Sequence, residues 1–170
     1  MKLVDKKRSY DGYLKIDTLS VQYESGNVHS REVMNKDNAV CALVYDKNID
    51  RYILVKQWRP ASEDYITEVV AGTLDIENED PLDALKREVL EETGYLVDST
   101  ELIGSCFVSP GCTTEFLSVF YCEVSNKVES GGGVHDEDIE IIYLTKEELL
   151  KLKSNDMKTL LSIMYIKTKL

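Results

Sequence analysis

At 170 residues, with 43% hydrophobic and 30% charged residues, the chain has the size and composition of one globular domain rather than a disordered acidic tail. No apolar run approaches the roughly 20 residues of a membrane span, and the charged start Met1-Lys2-Leu3-Val4-Asp5-Lys6-Lys7-Arg8 has no apolar stretch behind it, so no secretory leader is expected. The net charge of −11 excludes a general footprint for nucleic acid or anionic membrane, and an anionic ligand would need a local device such as a metal ion or one placed arginine.

Residues 13–34 read as a hairpin. Leu14 and Ile16, then Leu19, Val21 and Tyr23, alternate with polar residues, with a slip of phase near Asp17 and a turn at Glu24-Ser25-Gly26-Asn27. His29 in this hairpin reads as structural. Residues 39–45 are continuously apolar, the pattern of a strand buried on both faces. A second central strand spans 51–58, and shorter strands follow at 66–70, 102–108, 116–124 and 139–144. One helix runs from Pro81 to Thr93, with Asp80 as N-cap, Pro81 at the first helical position and Gly94 as the stop. A second begins after Thr145, whose Thr-x-x-Glu to Glu148 is a capping box, and runs through Leu152. A further helical piece covers 157–166. The four cysteines form no CxxC pair. They are expected to be small buried hydrophobes in a reducing compartment, which places the protein in the cytoplasm.

The informative segment surrounds the first helix. Glu88, Glu91 and Glu92 lie at i, i+3 and i+4, so a helix puts all three on one face. Leu82, Leu85 and Val89 fall on another face and are expected to pack on the sheet. Carboxylates at this spacing repel in water, by a few tenths of a kcal/mol per pair, and a divalent cation reverses the sign. Clustered carboxylate oxygens are the hard ligands that Mg2+ or Mn2+ prefers. Arg87, four residues after Asp83 and four before Glu91, is placed to brace them without occupying their metal-facing edges. Taken alone the triplet is also the pattern of a solvated acidic helix face. The longer pattern separates the two.

Gly72, six residues, Glu79, seven residues, then Arg87-Glu88-Val89-Leu90-Glu91-Glu92-Thr93-Gly94 resembles the signature of the Nudix hydrolases. The family places five residues, not six, between the glycine and the first glutamate. An insertion ahead of the helix leaves the helix spacing intact. The similarity extends over nearly the whole chain and points to the branch that cleaves nucleoside diphosphate sugars, which includes ADP-ribose and GDP-mannose pyrophosphatases. Its segments here are Val55-Lys56-Gln57-Trp58-Arg59-Pro60-Ala61, Ile66-Thr67-Glu68-Val69-Val70-Ala71-Gly72, Ser109-Pro110-Gly111-Cys112-Thr113-Thr114-Glu115 and Gly131-Gly132-Gly133-Val134-His135-Asp136-Glu137-Asp138-Ile139-Glu140. In the last segment the family often has Glu-x-Glu where this chain has His135-Asp136-Glu137.

The resemblance implies an α+β fold, an α/β/α sandwich with a mixed sheet in residues 37–170, preceded by a small N-terminal antiparallel sheet in residues 1–36 that dimerises the chain. It implies Mg2+ or Mn2+ held by the Ala71 carbonyl, Glu88, Glu92 and Glu137. Glu91, Glu137 and Arg87 are implied in catalysis, and Arg59, Glu68 and Glu115 in binding the substrate; His135, a departure from the family's glutamate, is a further catalytic candidate on its own chemistry. A histidine of ordinary pKa, about 6.5, suits deprotonation of a water near neutral pH, and Glu137 or the helix carboxylates compete for that role. The expected activity is hydrolysis of a nucleoside diphosphate sugar to a nucleoside monophosphate and a sugar phosphate by a metal-activated water. Two alternatives stand beside it: a Nudix-like sensor that binds a nucleotide sugar without cleaving it, and an enzyme acting on a nucleoside triphosphate.

Overall fold

The computed structural model describes residues 1–133 and 138–169. They form two compact units, one of Met1–Asn38 with Cys106–Leu117, the other of Ala39–Ser105 with Ser118–Leu170.

The first unit carries an antiparallel sheet of order β1-β2-β3, with β1 Lys2–Asp11, β2 Lys15–Gln22 and β3 Val28–Asn35. The expected hairpin is β2–β3. Its turn is closed by a 2.9 Å bond from Tyr23 N to Asn27 O, with Gly26 at φ 86°. Strand β1 is not legible in the sequence: it is exposed along its whole length, so no buried face imposes alternation on it. It also explains the slip of phase at Asp17. This carboxylate is 2% exposed and is satisfied by Arg8 Nε at 2.5 Å, Lys6 Nζ at 3.1 Å and Asn35 Nδ2 at 3.1 Å. The segment from Ser109 to Glu115 is joined to the end of β3 by Met34 N to Cys112 O, 2.8 Å, and Lys36 N to Thr114 Oγ1, 2.9 Å.

The second unit is built on a mixed sheet of order β10-β5-β4-β9-β8, formed by β4 Ala39–Asp46, β5 Arg51–Arg59, β8 Tyr95–Phe107, β9 Phe116–Lys127 and β10 Glu140–Leu144. The stretch expected as one strand at 66–70 is two. β6, Asp64–Glu68, pairs with β5, and β7, Val70–Thr73, pairs with β4. The chain changes partners at Val69, and the Val69 N–H donates instead to Thr159 Oγ1 at 2.9 Å.

Helix α1, Pro81–Thr93, begins and ends where its caps predict. Asp80 accepts from Leu82 N, and Gly94, at φ 78°, returns its N–H to Leu90 O. α2 is Lys146–Lys151, with the capping box formed between Thr145 and Glu148, and α3 is Met157–Thr168. Strand β4 is buried on both faces, as its unbroken apolar run requires. Val40, Ala42 and Val44 join one cluster with Ala84, Leu85 and Val89 of α1, while Cys41 and Leu43, on the opposite face by alternation, are fully buried too. α3 also packs on β4.

Two expectations are corrected. Leu82 is 38% exposed and is not part of the packed face of α1, where Ala84 takes its place. Cys106 and Cys112 are exposed, so only Cys41 and Cys122 are the buried hydrophobes expected. For Cys122, burial pushes the thiol up to about 12. No helix among the described residues is long and apolar enough to cross a membrane.

Candidate active site

The helix that carries the carboxylates is fixed to the sheet by its apolar face, and this decides how deep each carboxylate sits. Glu92 is 4% exposed. The Glu88 side chain is 13% exposed and that of Glu91 30%. Between them lies Arg87. Its guanidinium makes a bidentate pair with Glu79, Nε to Oε1 and Nη2 to Oε2, both 3.1 Å. Its Nη1 donates to Glu88 Oε1 at 2.7 Å and to Glu91 Oε2 at 3.3 Å, and its Nη2 reaches Thr73 O and Asp75. The hydrogen bond to Glu79 raises the Arg87 pKa; partial burial opposes this, and the charge of Glu88 adds to it. Asp83 pairs with Lys86. Arg87 thus takes one oxygen each of Glu88 and Glu91 and leaves the other oxygen of each to other partners.

Ala71 and Gly72 lie on β7, opposite Cys41 and Val40 of β4. The Glu88 carboxyl group rests against Gly72. A Cβ on that residue would stand 1.9 Å from the Glu88 carboxyl carbon and 2.0 Å from Oε1. This glycine is a cradle, and it brings an acidic oxygen of α1 against the strand that contains the Ala71 carbonyl.

One residue before the change of strand partner, Glu68 is buried at 2% exposure between two cations. Arg59 Nε donates to Oε1 at 2.6 Å and Lys158 Nζ to Oε2 at 3.0 Å. Burial would lower the Arg59 pKa, but the hydrogen bond and charge of Glu68, with the charges of Glu92 and Asp156, outweigh it and raise it. Arg59 therefore lies in the field of Glu92 as well as of its own partner.

Glu115 belongs to the first unit, where it accepts from Lys36 Nζ at 3.2 Å. His135 and Glu137 lie outside the described residues. The glycines leading to them are held to the end of α1: Gly132 N donates to Glu92 O at 2.8 Å and Gly133 N to Glu91 O at 3.1 Å.

Among the described residues, no three His, Cys, Asp or Glu side chains converge on a ready-made metal position. The donor chemistry nonetheless fits a hard divalent cation. The oxygens are carboxylate and carbonyl, one carboxylate is seated on a glycine beside the carbonyl, and a second is buried one helical turn further on.

The NUDIX domain family matches residues 35–162. The chain belongs to the Nudix family. It is similar to the GDP-mannose pyrophosphatase of Escherichia coli O139:H28 (strain E24377A / ETEC), 31% identical over 182 residues, 98% of this chain and 94% of that one. The GDP-mannose pyrophosphatase of Citrobacter koseri is 32% identical over 180 residues, 96% of this chain and 93% of that one. A solved structure described as ADP compounds hydrolase shares the fold with a TM-score of 0.81 at 14% identity, covering 99% of this chain and 92% of that one.

The Nudix motif thus brings Arg87, Glu88, Glu91 and Glu92 to one end of α1 beside β7, and the pairing of β5 with β6, outside the motif, brings Arg59 to Glu68. No motif or spacing points to Lys158 as the second cation on Glu68. Its only trace is the helix start Asp156-Met157-Lys158-Thr159, where Asp156 is the N-cap.

Proposed function

We propose that this Nudix hydrolase cleaves the diphosphate of nucleoside diphosphate sugars, of the GDP-mannose or ADP-ribose type, to a nucleoside monophosphate and a sugar phosphate. The observation that carries the reading is the seat of Glu88 on Gly72, beside the Ala71 carbonyl and under Arg87. Similarity to GDP-mannose pyrophosphatases across nearly the full length supports the substrate class.

Glu88, Glu92 and the Ala71 carbonyl would hold Mg2+ or Mn2+, with Glu137 as a further ligand. Bound there, the cation would supply charge neutralisation for the diphosphate and a water acidified toward neutral pH. The chain's own residues do the rest. Only the Nε of Arg59 has a hydrogen-bond partner among the described residues, so both Nη groups remain to grip a phosphate in a bidentate manner. Glu68 orients that guanidinium. Arg87 holds Glu88 and Glu91 against their mutual repulsion, and Glu91 completes the acidic cluster. Glu137 or His135 takes the proton of the attacking water. The oxygen of water bonds to one phosphorus, the bridging P–O bond breaks, and the second phosphate leaves.

The test is a panel of nucleotide sugars with Mg2+, coupled to a phosphatase and followed by product identification. Nucleoside monophosphate and sugar phosphate should appear, and Glu92→Gln should lose most of the turnover. Wild-type turnover in that variant removes α1 from catalysis. Tight binding of GDP-mannose or ADP-ribose with no product over hours would favour a sensor, a reading that His135 in the place of the family's glutamate keeps alive. Preferential turnover of a nucleoside triphosphate would move the substrate class.

We further propose a cytoplasmic homodimer. Strand β1 exposes Leu3, Val4 and Tyr10 on a three-stranded sheet that has no large core of its own. A monomer by light scattering at micromolar concentration would overturn it.

A further inference from the structure

Lys158 belongs to the first turn of α3, in sequence far from every residue of the Nudix motif. Its side chain is only 20% exposed, and its ammonium group is shared between two carboxylates, Glu68 Oε2 at 3.0 Å and Asp156 Oδ1 at 2.7 Å. Asp156 is fixed in turn. Its Oδ2 accepts from Thr159 N at 2.9 Å and from Thr159 Oγ1 at 2.7 Å. Thr159 Oγ1 itself accepts the Val69 N–H at 2.9 Å. The first turn of α3 therefore grips the chain twice where it changes strand partner, by the side chain of Glu68 and by the amide of Val69.

Glu68, at 2% exposure, has no water to replace a lost partner. A buried carboxylate with one cation removed is left partly uncompensated and is free to turn toward the other. With Lys158 on Oε2, the second oxygen is presented to Arg59 Nε in one fixed direction. The remaining edge of the guanidinium is thereby aimed as well, because the group is planar and rigid.

We propose that Lys158 is a positioning residue of the active site: it clamps Glu68 so that the Arg59 guanidinium is held in one orientation for the diphosphate. The inference rests on the role given to Arg59 above, and its first readout needs neither substrate nor metal. In protein labelled with 15N arginine, the Arg59 Nε–H signal is assigned by its loss in R59K. In wild type this proton should exchange slowly. In K158M it should exchange at least about tenfold faster, and K158R should restore most of the protection. K158Q, which keeps a donor without the charge, is measured beside K158M in case the apolar variant does not fold. An unchanged Arg59 signal in whichever of these two folds overturns the proposal.

The second readout is a double-mutant cycle on affinity for inorganic pyrophosphate with Mg2+. K158M should weaken binding about tenfold in the wild-type background and by less than about twofold in R59K, because its effect passes through Arg59. Equal losses in both backgrounds overturn it, since they mark a contact or a fold effect independent of Arg59. If wild type shows the protected Nε–H but hydrolyses no nucleotide sugar, the clamp stands and the assigned activity fails.

Discussion

The Glu88 carboxyl group lies directly on the α-carbon of Gly72, in the space where any other residue would carry its side chain. Gly72 is needed for that contact rather than for its backbone, which is not in the left-handed region. Gly72→Ala should therefore fold. Glu88 is the flexible partner and would give way, moving from the strand that bears Ala71. Turnover should fall at least about tenfold, by the loss of one oriented ligand of the proposed cation, while the melting temperature shifts by only a few degrees. Wild-type turnover with a displaced Glu88 would remove that carboxylate from the chemistry.

Arg87 is the cation inside an acidic cluster, bonded to Glu79, Glu88 and Glu91. Arg87→Ala leaves those carboxylates facing one another and should destabilise the protein by about 1–3 kcal/mol. Mg2+ should restore more of the lost melting temperature in the variant than it adds to wild type, because the ion replaces the missing positive charge. Equal Mg2+ responses in the two proteins would show that the ion binds elsewhere.

What the sequence discloses and what it hides divide along physical lines. Helix α1 is legible end to end because Asp80, Pro81 and Gly94 are local signals. The β4 run is legible because burial on both faces leaves no polar position. β1 is invisible because nothing along it is buried. The break at Val69 is invisible because its cause is a hydroxyl 90 positions away, on Thr159. The motif spacing locates Glu88 and Glu92, and the segment around Trp58 locates Arg59. Neither spacing nor composition could show that Glu68 joins Arg59 to Lys158, which is a fact of tertiary packing alone.

The same buried network gives a pH signature. Burial acts to raise the Asp156 pKa, but Lys158 and the N–H and hydroxyl of Thr159 outweigh it and hold the carboxyl below its usual range. A depressed folded-state pKa contributes stability above the unfolded value, about 3.9, that is lost as pH falls through the folded one. The melting-temperature advantage of wild type over Asp156→Asn should be constant from neutral pH down to about 5 and shrink below about 4. Asn keeps an acceptor for the Thr159 N–H, so the helix cap survives in the comparison. An advantage that persisted undiminished to pH 3 would show that the charge of Asp156 contributes nothing.

Gly131 and Gly94 are the points where the glycine-rich segment meets the end of α1. Both have positive φ, 70° and 78°. A Cβ on Gly131 would stand 2.5 Å from the Thr93 carbonyl carbon, and one on Gly94 would stand 2.1 Å from Glu129 O. These neighbours are backbone and cannot swing aside as a side chain does. Gly26 offers a control, with φ 86° and nothing within 4 Å of where its Cβ would stand. Gly26→Ala should cost about 1 kcal/mol, the conformational penalty alone. Gly131→Ala and Gly94→Ala should each cost at least about 2 kcal/mol. Turnover should fall with them, because the amides of Gly132 and Gly133 hold the carbonyls of Glu92 and Glu91, and the chain continues from there to His135 and Glu137. Chemical denaturation of the three variants measures the difference. If all three lose the same amount, the packing of the two glycines against the helix end is not what requires them.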